Sequence, residues 1–196
     1  MKVHSIVLTA VTALLAACGQ PVADDSPSVG AKSGLTRLPP GASLQTTEAV
    51  NVRTGPNSSA SVVTVLDEGT VVVSATGVVT GNWVQITVNG AEGWVFAPYV
   101  SPPACLELAR AAQQLVSSAV QCSGLPGITI PGSDRLSCEA SVSACTVSEL
   151  RELLSVAQCQ TQAAVCRNPG DTARLVQELY ACSANINVSP ACMNGF

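Results

Sequence analysis

The chain has 196 residues, 47% of them hydrophobic and only 3% aromatic, and its 13 Asp+Glu outweigh its 9 Lys+Arg. A net charge of −4 at pH 7 argues against a nucleic-acid partner, because phosphate contacts need clustered Lys and Arg. The nine cysteines split one plus eight, Cys18 standing alone and the other eight lying within residues 105–192.

At the N-terminus, Met1-Lys2-Val3-His4 supplies one firm positive charge, and residues 5–17 form a short apolar run ending in small residues. Such a run is too short to cross a bilayer and reads as a signal-peptide core. Leu15-Ala16-Ala17-Cys18 resembles the bacterial lipobox, which implies that residues 1–17 are a lipoprotein signal peptide and that Cys18 is diacylated, with palmitate-type chains holding the protein to a membrane. An ordinary signal cleaved after an Ala is the alternative. Acyl chains contribute about 0.8 kcal/mol per buried methylene, so two of them anchor stably. Removing residues 1–17 also removes Lys2 and His4, the only histidine. No Ser-His-Asp or Cys-His triad and no histidine zinc site can then be assembled. Lys32 is the one lysine left, in a linker, which disfavours Ser/Lys chemistry. The expectation is no enzyme, no cofactor and no metal. Gly19, where an Asp often signals inner-membrane retention, points to the outer membrane facing the periplasm.

Residues 18–41 are rich in Gly, Pro, Ser, Asp and Ala without an apolar period, which predicts a flexible tether with a span of roughly 25–30 Å. From residue 42 to 101 the chain changes to short β-branched runs broken by turn signals. Ser61–Leu66, Thr70–Val73, Trp83–Val88 and Trp94–Phe96 read as strands of a small all-β barrel or sandwich. Asn89-Gly90 between two of them predicts a hairpin, since both residues tolerate positive φ.

Asn51-Val52-Arg53-Thr54-Gly55-Pro56, then Val62, Leu66, Gly69, Val72, Trp83, Gly90, Gly93-Trp94-Val95 and Tyr99-Val100 resemble the bacterial SH3 domain family (SH3b). The resemblance implies a five- to six-stranded SH3-like barrel acting as a targeting or ligand-binding module, with peptidoglycan peptides as the usual proposed ligands. Alternation in 83–88 puts Val84, Ile86 and Val88 on one face and Trp83, Gln85 and Thr87 on the wetter one. Trp83 and Tyr99, with Asn51 and Arg53, form the candidate groove for an extended peptide, Arg53 either forking a ligand carboxylate or clamping the neighbouring loop. Trp94 reads as core. Glu48, Asp67, Glu68 and Glu92 read as a solvated face.

Residues 102–196 turn helical. Ser101-Pro102-Pro103 is a helix start, and Cys105, Leu108, Ala112, Leu115, Ala119 and Cys122 follow at spacings of three and four. An unbroken helix separates Cys105 from Cys122 by roughly 25 Å, whereas a disulfide needs Cα atoms within about 7 Å. These two cannot pair with each other. Residues 123–133 are a Gly/Pro loop. Thr146-Val147-Ser148-Glu149 matches a capping box with Cys145 and Leu150 as its staple, opening a helix with Leu150, Leu154, Ala157 and Thr161 on one face and Cys159 and Cys166 on nearly the opposite one. Asn168-Pro169-Gly170 stops it, and Asp171 caps a last helix carrying Leu175, Leu179, Cys182 and Ile186. Two antiparallel helices hinged near Pro169 put Cys159 level with Cys182 and Cys145 level with Cys192. Cys105, Cys122, Cys138, Cys145, Cys159, Cys166, Cys182 and Cys192 are an even set, expected to form four disulfides. The closest spacing is Cys-x6-Cys rather than Cys-x-x-Cys, which disfavours zinc and redox motifs.

These readings describe a multidomain chain, a small all-β SH3-like barrel followed by an all-α, disulfide-stapled helical domain at residues 102–196. The expected function is a non-catalytic, lipid-anchored cell-envelope protein whose barrel binds a peptidoglycan peptide or an envelope protein. The alternative is a protein–protein adaptor in which the helical domain carries specificity and the barrel is structural.

Overall fold

A computed structural model describes residues 32–123 and 134–193. The signal segment, Cys18, residues 19–31 of the predicted tether and residues 124–133 of the predicted loop lie outside the described residues.

Seven antiparallel strands form one sheet in the order β3-β2-β6-β5-β4-β1-β7. They are β1 (Ser43–Thr46), β2 (Val50–Arg53), β3 (Val62–Leu66), β4 (Val71–Thr80), β5 (Trp83–Val88), β6 (Ala91–Phe96) and β7 (Val100–Ser101). The β5–β6 hairpin pairs Val88 with Ala91 across Asn89 and Gly90, whose φ angles of 51° and 81° are those the Asn-Gly turn requires. β4 is the long, bent strand. Its register with β5 shifts between Ser74 and Val79, and Gly77 sits in the shift with a φ of 73°.

That bend receives residues read from sequence as tether. The Leu38 amide donates to the Gly77 carbonyl at 2.9 Å, the Gly41 amide donates to the Ser74 carbonyl at 2.9 Å, and Arg37 bridges to Val78. Leu35 and Leu38 are buried in the same core as Val84, Ile86 and Val95. The tether reading therefore fails for residues 33–41. Their Gly/Pro content suggested a linker, but two leucines cover apolar surface that the short strands leave open.

Among the described residues five helices follow: α1 (Pro103–Ser123), α2 (Arg135–Ser141), α3 (Val147–Ala163), α4 (Thr172–Ser183) and α5 (Pro190–Met193). Along α1, Ala104, Cys105, Ala111, Ser118 and Cys122 are buried. This is the expected stripe turned slightly, and Ser118 is accommodated by donating to the Ala164 carbonyl at 2.6 Å. The Thr146 hydroxyl and the Glu149 carboxylate form the reciprocal capping box of α3, with Cys145 and Leu150 both buried beside it. α3 ends at Ala163, so Cys166 lies past the helix rather than on its far face. Asp171 precedes α4 without a side-chain cap bond, and it pairs instead with Arg174.

Four disulfides tie these helices: Cys105–Cys138, Cys122–Cys166, Cys145–Cys192 and Cys159–Cys182. The last two are the pairings that the antiparallel hinge predicts, and Cys105 and Cys122 bond to different partners. Closing loops of 23 to 47 residues, each contributes about 2–4 kcal/mol, which a helical segment poor in aromatics needs.

Candidate functional site

The four residues expected to line a groove do not form an open one. Trp83 is only 8% exposed and Tyr99 6%. Phe96 stands between them, meeting Trp83 edge-on at a ring-centroid distance of 5.4 Å and Tyr99 at 5.5 Å. The three rings form one buried aromatic ladder, an arrangement that stabilises by about 0.5–1.5 kcal/mol per pair beyond area burial. Strand alternation misplaced Trp83 because it assumes one wet face. Here Trp83 lies opposite Phe96 on β6, and the 3-10 turn Ala97–Tyr99, all of it buried, folds back over that end of the sheet. The groove is corrected to core.

Asn51 is fully buried on β2 opposite Val65, out of a ligand's reach. Arg53 donates from Nη1 to the Ala60 carbonyl at 2.8 Å, holding the loop between β2 and β3, which is the clamp role rather than the carboxylate fork. Trp94 packs half-buried against the core. The eight cysteines of residues 105–192 are all consumed in disulfides, and no three His, Cys, Asp or Glu side chains converge among the described residues.

The polar centre that sequence reasoning missed lies where the barrel meets the helices. Glu139 of α2 has a fully buried side chain. Its Oε2 accepts from the Gly34 amide at 2.8 Å and from the Ser33 hydroxyl at 3.3 Å, while Arg135 approaches Oε1 at 3.5 Å. Arg135 also donates to the carbonyls of Pro98 and Lys32 at 3.3 and 3.2 Å. Burial pushes the Glu139 carboxyl above its ordinary range. The Gly34 amide, the Ser101 hydroxyl, Arg135 and Ser33 pull the other way without cancelling it. One helical turn thus gathers the leader strand, the end of the barrel and α2, and the neighbouring Cys138–Cys105 bridge welds α2 to α1. Nothing in the sequence around Cys138-Glu139 signals this role, since a lone Glu on a short helix reads as surface.

The arrangement of β2 to β7 can be compared with known families. Residues 48–101 match the family model of the bacterial SH3 domain. The bacterial SH3 domain spans β2 to β7, while β1, the leader at residues 32–42 and all five helices lie outside it. No match was found among curated proteins or solved structures.

Proposed function

We propose that this chain is a non-catalytic, lipid-anchored protein of the bacterial cell envelope whose SH3 domain binds a cell-wall peptide or an envelope protein. The single observation that carries the reading is the bacterial SH3 domain at residues 48–101, a module that points to the envelope and to a cell-wall or protein-binding role. The four disulfides fit an exported chain, because such bonds persist in oxidising compartments. The resemblance of Leu15–Cys18 to a lipobox supplies the anchor, with Cys18 diacylated and the protein held at the outer membrane on its periplasmic side. No helix among the described residues is long and apolar enough to cross a membrane.

The test is cosedimentation of the full chain with purified peptidoglycan sacculi, paired with crosslinking in envelope preparations. Retention or a defined envelope partner is expected, and neither appearing would overturn the reading. For the anchor, Cys18→Ser should abolish incorporation of labelled palmitate and release the protein from membranes.

A second reading is favoured by the burial of Trp83, Tyr99 and Asn51. In it the barrel is structural and the helical segment carries specificity as an adaptor. Val176 and Tyr180, 58% and 76% exposed on α4, offer an apolar contact there. Tyr180→Ala would then abolish partner crosslinking, while substitutions on the barrel surface would leave it unchanged.

A further inference from the structure

Where the first strand of the barrel meets the helices there is an apolar crevice. It is lined by Ala42 and Ser43, by Pro102 to Ala104 at the start of α1, and by Val147, Leu150, Arg151 and Leu154 on one face of α3. Its free space of about 50 Å³ holds about three or four water-sized groups, which limits an occupant to the bulk of an alanyl or valyl side chain. The only charge in the lining is the Arg151 guanidinium, exposed at the mouth.

Arg151 stands apart from the other helical arginines. Arg110 pairs with Glu107 three residues before it, Arg135 with Glu139 four after, and Arg174 with both Asp171 and Glu178. At the same offsets from Arg151 the sequence places Val147, Ser148, Leu154 and Ser155, none of which can answer a positive charge. Its sequence neighbours Glu149 and Glu152, at offsets of two and one, do not share its helix face, and Glu149 is committed to the Thr146 and Ser189 amides. Among the described residues Arg151 therefore presents an unspent bidentate donor set beside a small apolar hole, at the kind of inter-domain seam where ligand sites concentrate.

We propose that this crevice binds a peptide C-terminus, taking a small aliphatic last side chain into the hole and its α-carboxylate onto Arg151. Complementarity fixes the class: the hole excludes rings and long chains, and the lone guanidinium asks for a planar anion within a few ångströms of the aliphatic group. The proposal deepens the binding role given above and rests on it for the setting, an envelope in which peptide termini are the ligands.

The test is amide chemical-shift titration of the full mature chain with N-acetyl-Ala-Ala and N-acetyl-Ala-Val as free acids, and with the same peptides as C-terminal amides. Saturable shifts clustered at Ala104, Val147 and Leu154 are expected, weakened at least about tenfold by amidation and by Arg151→Gln. Arg37→Gln, a substitution of an exposed arginine outside the crevice, should leave them intact. Because the Arg151 side chain is exposed and makes no hydrogen bond or ion pair among the described residues, its variant should fold normally. Leu154→Trp, which fills the hole, is the second check and should also abolish the shifts. Equal binding of acid and amide, indifference to Arg151→Gln, or no saturable shift would overturn the proposal. Sacculus retention that survives Arg151→Gln would sink this site and leave the broader function standing. Dipeptide binding without retention on sacculi or envelope partners would do the reverse.

Discussion

Trp83 and Glu139 show how a residue's role depends on what folds over it. A tryptophan beginning a strand in the pattern Trp83-Val84-Gln85-Ile86 looks half wet, yet Phe96 and the turn at Tyr99 close over it. Trp83→Ala should accordingly cost about 3–5 kcal/mol in urea unfolding, with Trp83→Phe recovering most of it. A ligand-facing tryptophan would instead leave the urea midpoint where it was. Glu139→Ala strands the Gly34 amide inside the protein and should cost about 2–4 kcal/mol. Burial raises the Glu139 pKa above its ordinary 4.5, so the fold prefers the neutral carboxyl. The stability it contributes is complete below that ordinary value and is lost as pH rises through the higher folded one. Relative to Glu139→Gln, the wild type should therefore lose ground as pH rises above the ordinary 4.5, read as the difference in their urea midpoints.

The elements divide into those set by local chemistry and those set by packing. Asn89-Gly90, the Thr146–Glu149 box and the helix of α1 are local signals that appear where their residues dictate, although of the stripe read along α1 only Cys105 and Cys122 are fully buried. The short helices α2 and α5 were not legible. Seven and four residues long, they are too brief to show a period, and Cys138 and Cys192 pin them through disulfides. Glu149 does more than cap α3, for its second oxygen accepts from the Ser189 amide at 2.8 Å and so ties α3 to the stretch leading into α5. Bonds from Ser189 and Thr146 hold its pKa down to about 2. The sign is the opposite of Glu139: this stabilisation is present above the ordinary 4.5 and lost as pH falls towards about 2. Glu149→Gln should flatten that part of the acid-unfolding curve followed by far-UV circular dichroism, with little effect near neutrality.

Over the whole molecule, barrel and helices share one apolar core, in which Leu38, Leu44, Val100, Cys105, Val142 and Leu153 belong to the same cluster. The segment matching the bacterial SH3 domain thus depends on covers that lie outside it. A fragment of residues 48–101 should unfold at a markedly lower urea concentration than the mature chain, and restoring residues 32–47 should recover part of the loss. Gly77→Ala tests the same seam at one point. Its new Cβ would lie 2.0 Å from the Leu38 carbonyl oxygen at a φ of 73°, so the leader must lift away, at a cost of about 1–3 kcal/mol measured by thermal unfolding.

By itself the sequence determined what near-neighbour chemistry controls: the strand runs and the Asn-Gly hairpin, the α1 stripe that keeps Cys105 from Cys122, the hinge that pairs Cys159 with Cys182 and Cys145 with Cys192, and the family of residues 48–101. Only the tertiary structure decided which apolar residues are covered, because cover comes from segments distant in the chain. Leu35 and Leu38 cross from the predicted tether to the core, and Trp83 goes beneath the turn that ends in the buried Tyr99. Glu139 reaches back 105 residues to Gly34, a contact that no local period can announce. The charge of Arg151, unanswered among the described residues, lies between the two cases. Its missing partners are written in the sequence at offsets of three and four, but the apolar hole beside it exists only once the helices close on the first strand of the barrel.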